Sequence, residues 1–257
     1  MSDRRPLILI SNDDGYYYGG IKALIGVARE FGDVFVAAPT LHQSGMSSAI
    51  TVNSPLRAVL LKKEDGLTFY RINGTPADCA KLAISQLLDG RKPNLLLSGI
   101  NHGYNAGNSA IYSGTMGVVF EGLFNGIPSI GFSYGCYDAD ADFTPCLPYV
   151  RKIIGNVLDK GLPEHVCLNV NIPFGHGPIQ GVKVTAGALG KWTHEFKKFT
   201  DPHGRDFYWI TGDYEMDDPD DAANDLYWIK RGWVSVTPCH ADQTDFNSMS
   251  QISSIIY

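Results

Sequence analysis

An α/β fold with a mostly parallel sheet, covered by helices on both faces, is predicted by three observations. Short apolar runs recur at PLILIS, DVFVAA, NLLLS and PSIGF, with none of the polar alternation of a half-exposed strand. Segments of helical spacing lie between them. Strand and helix therefore alternate, as βαβ units require.

The first strand is predicted over residues 6–11. The MSDRRPLILIS start is charged and then apolar, but its apolar part is too short for a secretory leader and lacks a small-residue cleavage site. Residues 20–31 place Ile21, Leu24, Ile25 and Ala28 on one helical face. Strands follow over 33–38, 94–98 and 128–132. A helix opens at Thr75, where Thr-Pro-Ala-Asp gives an N-cap, a first-position proline and an acid in the first turn. Another runs from about 115 and stops near Gly126, with Pro128 beyond it. A last helix is expected over 147–158 and a strand over 166–172.

The texture then changes. Residues 175–232 are rich in Gly, Pro, Asp and aromatics, with short alternating runs such as VKVTA and FYWI. They predict β-hairpins and long loops. Trp192, Phe196, Tyr208, Trp209 and Trp228 would be poorly buried by a lone hairpin, which points to a partner subunit as their cover. The acidic run over 213–225 is expected to be a solvated loop; its spacing and missing central glycine do not suit a calcium loop.

Composition narrows the functions. The 257 residues carry a formal net charge of −6, and no basic cluster offers a footprint for duplex nucleic acid. No apolar run reaches the roughly 18 residues that span a bilayer. The five cysteines are scattered, odd in number and form no CxxC pair, as expected of reduced thiols in the cytoplasm. Cys239-His240 is a poor zinc pair, because neighbours in a strand point to opposite faces. The first βα turn lacks GxGxxG, and no GxSxG elbow occurs, so dinucleotide and serine-hydrolase chemistry are disfavoured.

The chemistry gathers at strand ends, where open parallel sheets bind ligands. The first strand ends in Asn12-Asp13-Asp14-Gly15. Two carboxylates about 4 Å apart repel by roughly 4 kcal/mol at an effective dielectric near 20. A hard divalent cation removes that repulsion. The second strand is followed by a small-residue loop with Ser44-Gly45, and the strand at residue 94 by SGINHGYNAGNSAIYSGT, full of Gly, Asn and Ser. Ser113-Gly114-Thr115 opens a helix, a natural anion site. Carboxylates beside such a site suggest phosphoryl transfer to water. His42 and His102 lie close in sequence to these motifs, where packing or hydrogen bonding is the ordinary role for a histidine.

These segments, with NGTPADC and the late VSVTPCHAD, resemble the survival protein E (SurE) nucleotidases in content and order, from residue 7 to about 245. The resemblance implies a metal-dependent phosphatase of nucleoside 5′- and 3′-monophosphates that also trims short polyphosphate in some members. It implies a Rossmann-like three-layer α/β core with a mostly parallel sheet, plus a β-rich C-terminal extension. The chain is then a single domain, with residues 1–172 carrying the site and 173–257 serving oligomerisation as a homodimer or homotetramer. By motif, Asp13, Asp14, Ser44 and Asn101 are the metal ligands, and Asn105, Ser113, Gly114 and Thr115 face the phosphate. Asp13 and Asp14 are also the catalytic pair. One magnesium or manganese ion per protomer is expected, with calcium an alternative. Two departures stand out: Thr40-Leu41-His42-Gln43 replaces an acid and a basic residue, and Asn108 replaces an aspartate. A nucleoside hydrolase would want more carboxylates at the other strand ends. A non-catalytic nucleotide-binding protein would have less reason to keep all four ligand types.

Overall fold

A computed structural model describes residues 5–257; the charged residues 1–4 of the MSDRRPLILIS segment lie outside them. The N-terminal part contains β1 (Leu7–Ser11), α1 (Gly19–Ala28), β2 (Asp33–Pro39), β3 (Ala58–Glu64), β4 (Leu67–Ile72) and α2 (Pro76–Leu82). It continues through β5 (Leu95–His102), α3 (Gly114–Phe124), β6 (Ser129–Tyr134), α4 (Leu147–Lys160) and β7 (Cys167–Ile172). One nine-stranded sheet runs β3-β4-β2-β1-β5-β6-β7-β13-β8, where β8 is Gly181–Val184 and β13 is Trp233–Cys239. Its antiparallel pairings are β3–β4 and β7–β13; the others are parallel.

Alternation along each strand splits the core into two layers. Ile8, Ile10, Val34, Val36, Leu95 and Leu97 pack with α1 and α4 on one face. Leu9, Phe35, Ala37 and Leu96 pack with Cys79, Ala80 and Val118 of α2 and α3 on the other. At about 25 cal/mol per Å² of apolar surface, such two-sided burial is the main force holding β1 in the centre. Helix α2 starts as its sequence dictates: Thr75 and Asp78 form a reciprocal capping box, with Pro76 in the first turn.

The β3–β4 hairpin was not expected. Glu64-Asp65-Gly66-Leu67 carries its turn signal and Ala58-Val59-Leu60-Leu61 an apolar run, but β3 is a mostly exposed edge strand ending in Lys-Lys-Glu and lacks the two-residue alternation of a half-buried strand. After residue 172 the chain leaves the sheet and returns to it twice, as β8 and β13. Between these lie β9 (Gly190–Thr193), β10 (Phe196–Thr200), β11 (Asp206–Ile210), β12 (Asp213–Met216) and α5 (Asp225–Ile229). Strands β10–β11 and β9–β12 form separate antiparallel pairs. Helix α6 (Met249–Ile256) ends the described chain. The expected solvated acidic run is instead divided: its start is β12, and Asp225 is fully buried.

Candidate active site

The residues after β1 stay buried although they are polar: Asn12 is 0% exposed, Asp13 3% and Asp14 2%. The Asn12 side-chain amide donates to the Gly15 carbonyl at 2.9 Å. Gly15 holds φ at +114°, a conformation that L side chains avoid, and this ends the strand within one turn. Main-chain bonds lace the turn to the end of β2: Tyr16 N–H donates to Pro39 at 3.0 Å, and Gln43 N–H donates to Asp13 at 2.7 Å.

The two carboxylates have different surroundings. Asp13 accepts a 2.7 Å hydrogen bond from the Thr115 hydroxyl, at the start of α3. Burial and then the charge of Asp14 push the Asp13 carboxyl up to about 6, against that hydrogen bond. Asp14 Oδ2 accepts from the His102 backbone N–H at 3.3 Å and lies 3.0 Å from His102 Nδ1. Its Oδ1 is 3.7 Å from Nδ1 of the half-exposed His42.

Asn101 ends β5 beside them. Its amide NH₂ donates to the His102 and Gly103 carbonyls at 3.2 and 3.0 Å, which fixes the side chain and commits its nitrogen rather than Oδ1. Ser44 sits on the exposed loop after β2, next to the Gln43 that binds Asp13. That loop is strapped down. Ser47 bonds the Tyr112 and Ile111 carbonyls through its N–H (3.0 Å) and hydroxyl (2.6 Å), while Thr51 N–H reaches Asp78 at 2.9 Å. Among the described residues no three His, Cys, Asp or Glu side chains gather as a preformed metal cluster. The two acids therefore need neutral oxygens to complete a shell. Two buried carboxylates beside an amide whose oxygen is left uncommitted fit a hard divalent ion, and the Ser44 hydroxyl is a further oxygen on the neighbouring loop.

The anion side differs from expectation at two residues. Thr115 commits its hydroxyl proton to Asp13, and its backbone is turned to the same carboxylate. A Cβ on Gly114 would fall 2.8 Å from Asp13 Cβ and 3.0 Å from Pro76 Cγ, so this glycine lets α3 approach Asp13. Ser113 caps the helix: its oxygen accepts from Met116 N–H at 3.1 Å, which leaves its own O–H free to donate. Asn105 is held on three sides. Its N–H donates to Asn171 (2.8 Å), its carbonyl accepts from Asn169 (2.7 Å), and its amide donates to Ser133 (2.9 Å).

Asn169, Asn171 and Ser133 were missed by sequence reasoning. The signal was there, because Asn169-Val170-Asn171 puts two amides on one face of a buried strand. Asp225 was missed too. Its carboxylate accepts from Gly107 (2.7 Å), Ala188 (3.0 Å) and Leu226 (2.7 Å) N–H groups and so pins the loop after Asn105. Burial raises its carboxyl above the ordinary value, opposed by these three donors. Large hollows lie elsewhere: about 770 Å³ between the Gly107–Tyr112 loop and β9, and about 1390 Å³ beneath the C-terminal segment, neither lined by Asp13 or Asp14.

Residues 8–194 match the family model described as survival protein SurE. The chain belongs to the SurE family. A relative from Bacteroides fragilis bearing the name 5′-nucleotidase SurE is 46% identical over 254 residues, covering 99% of both chains. A Bacteroides thetaiotaomicron protein of the same name is 44% identical, over 98% of this chain and 97% of the relative. The crystal structure of the SurE protein from Aquifex aeolicus superposes with a TM-score of 0.82 at 37% identity, over 98% of this chain and 100% of that one. Against the SurE pattern, the Asn108 departure has a structural reading. Its amide donates to the Gly190 carbonyl at 2.6 Å and its oxygen accepts from the Tyr214 hydroxyl. A carboxylate could not make the first bond.

Proposed function

We propose that this SurE chain is a 5′-nucleotidase, a divalent-metal-dependent phosphomonoesterase that converts nucleoside 5′- and 3′-monophosphates to nucleoside and phosphate, with short polyphosphate as a further substrate. The family membership and the printed names of its relatives support the nucleotidase activity. The observation that carries the chemistry is the buried Asp13–Asp14 pair, bonded directly to the first turn of α3.

Asp13, Asp14, Ser44 and Asn101 would hold one magnesium or manganese ion, with calcium also suited to the oxygen set. Such an ion supplies Lewis-acid polarisation of the phosphate and activation of water. The chain's own residues do the rest. The α3 start at Gly114 and Thr115, the Ser113 hydroxyl and Asn105 orient the phosphate at a helix end with partial positive charge. Thr115 and His102 hold Asp13 and Asp14 in place, and this pair handles the proton of the attacking water.

We further read the β10–β11 hairpin as an assembly element of a homodimer or homotetramer. Trp192, Phe196, Tyr208 and Trp209 are exposed, in keeping with a missing cover. Trp228 is already covered within the chain: it packs edge-on to Trp233, with Lys183 over its ring. The free cysteines suit the cytoplasm, and no helix among the described residues is long and apolar enough to cross a membrane. The test is phosphate release from a nucleotide panel, before and after EDTA and with each metal restored. Activity should vanish with EDTA and return with magnesium or manganese. Release of free base in place of phosphate would overturn the reading.

A further inference from the structure

The turn that ends β1 continues as Tyr16-Tyr17-Tyr18, three aromatic rings in a row beside the carboxylate pair. The rings touch in series: Tyr16 meets Tyr17 edge-on at 5.4 Å between centroids, and Tyr17 meets Tyr18 at 4.7 Å. Tyr18 in turn packs against both histidines that approach Asp14, at 5.9 Å from His42 and 5.7 Å from His102. The series thus runs from the histidines at Asp14 through Tyr18 and Tyr17 to Tyr16 at the rim of the core, and its middle ring, Tyr17, is 50% exposed. Nothing in the core needs Tyr17, since none of its neighbours in this series is part of a buried apolar cluster except Tyr16, which packs against the core from its rim.

The shelf is also rigid before any ligand arrives. Its backbone is fixed by Tyr16 N–H to Pro39 (3.0 Å), Tyr18 N–H to Gly15 (3.4 Å) and the Asn12 amide to Gly15 (2.9 Å). Binding then needs little ordering of this segment. Every nucleobase has a π-face, so an aromatic shelf accepts bases by stacking with little demand on their identity. A ring in the same position has no use for a bare sugar phosphate.

We infer that Tyr17 and Tyr18, with the His42 ring beside them, form a stacking shelf for the nucleobase of the substrate, joined to the acid pair through the two histidines at Asp14, which selects nucleotides over other phosphomonoesters without selecting among bases. The inference rests on the nucleotidase reading. It predicts broad base tolerance, and it gives His42, which departs from the family pattern, a role in the pocket wall.

The experiment compares adenosine 5′-monophosphate with ribose 5-phosphate, which has the same sugar phosphate and no base. The ratio of their kcat/KM values should exceed one by about tenfold or more in the unmodified protein and fall toward one in Tyr17→Ala and Tyr18→Ala. Tyr17→Phe and Tyr18→Phe should keep the ratio, because stacking needs the ring and not the hydroxyl. Titration calorimetry in EDTA is the arm that needs no turnover: adenosine 5′-monophosphate should bind about tenfold more weakly to Tyr17→Ala, while inorganic phosphate binds as before. A ratio near one in the unmodified protein, or a fall that is equal for both substrates, overturns the shelf. If no phosphomonoester is hydrolysed with any metal, the nucleotidase reading fails, and the calorimetry still decides whether the shelf holds a base.

Discussion

The two ends of this molecule break the usual partition of residues in opposite ways. At the strand ends of β1 and β5, charged and polar groups are buried: Asp13, Asp14 and Asn101 have almost no exposed surface. In the C-terminal arm, apolar groups are exposed: Phe196, Trp209 and Ile210 on the β10–β11 pair, and Ile252 and Ile255 on α6. Burying charge and exposing large apolar side chains are both costly. Each region is thus incomplete alone, but in different currencies. In the function proposed above, the first would be completed by a cation and an anion and the second by another protein surface. The SurE membership and the proposed activity concern the first; the assembly concerns the second.

The largest expected effect breaks the first region. Asp14→Asn should lower kcat/KM for nucleoside monophosphates by at least about a hundredfold while the protein stays folded, as is usual when one electrostatic catalytic group is lost. Near-normal turnover by the purified variant in metal-free buffer would remove the acid pair from the mechanism. The second region is challenged by Phe196→Ser with Trp209→Ser. Light scattering at micromolar concentration should give an oligomer for the unmodified chain and a shift toward one protomer for the variant. One protomer mass for the unmodified chain would mean that the arm needs no cover.

Two smaller effects sharpen the site itself. Thr115→Val removes the donor to Asp13 but keeps the backbone N–H. It should cost roughly tenfold to a hundredfold in activity or metal affinity, the scale for a residue that orients a ligand. Inhibition by free phosphate should be retained, whereas Ser113→Ala should weaken it. If Thr115→Val loses phosphate inhibition instead, its hydroxyl contacts the anion after all. The smallest effect is at Asp78, which straps the Ser44 loop to α2. Burial opposes its ionisation, but donors from Thr51 and Thr75 outweigh it and hold the carboxyl below its ordinary value. A depressed carboxyl stabilises the fold above its unfolded value, about 3.9, and that stability is lost as pH falls through the folded value. Asp78→Asn should therefore lower the melting temperature at neutral pH, with the gap to the unmodified protein closing below about pH 4. A gap that is constant across that range would count against an ionised Asp78.

Legibility followed the range of each interaction. The β1–α1–β2 unit, the Thr75 cap and the α3 start were readable because apolar runs, caps and turn glycines act over a few residues. The acid pair was readable for the same reason. What escaped was set by distant partners. Thr115 looks like a donor to a ligand until Asp13, 102 positions away, is seen to take its proton. Asp225 is one acid in a run of acids until the fold brings Gly107, 118 positions away, against it. The β3 strand escaped because its apolar run, Ala58 to Leu61, lies on a solvent-facing edge and shows no alternation of buried and exposed positions.

Strand β13 lies between β7 and β8 in the sheet, yet it is made after the whole arm. While the chain is still on the ribosome, β7 is an open edge, and β8 has no neighbour to pair with until residues 233–239 emerge. At about 5–20 residues per second, the wait from residue 172 to 239 is several seconds. Through that interval Asn169 and Asn171 belong to a strand that is paired with β6 on one side and open on the other, the kind of edge that invites pairing with another chain. Nascent chains on one message therefore meet with both an open sheet edge and an exposed aromatic hairpin.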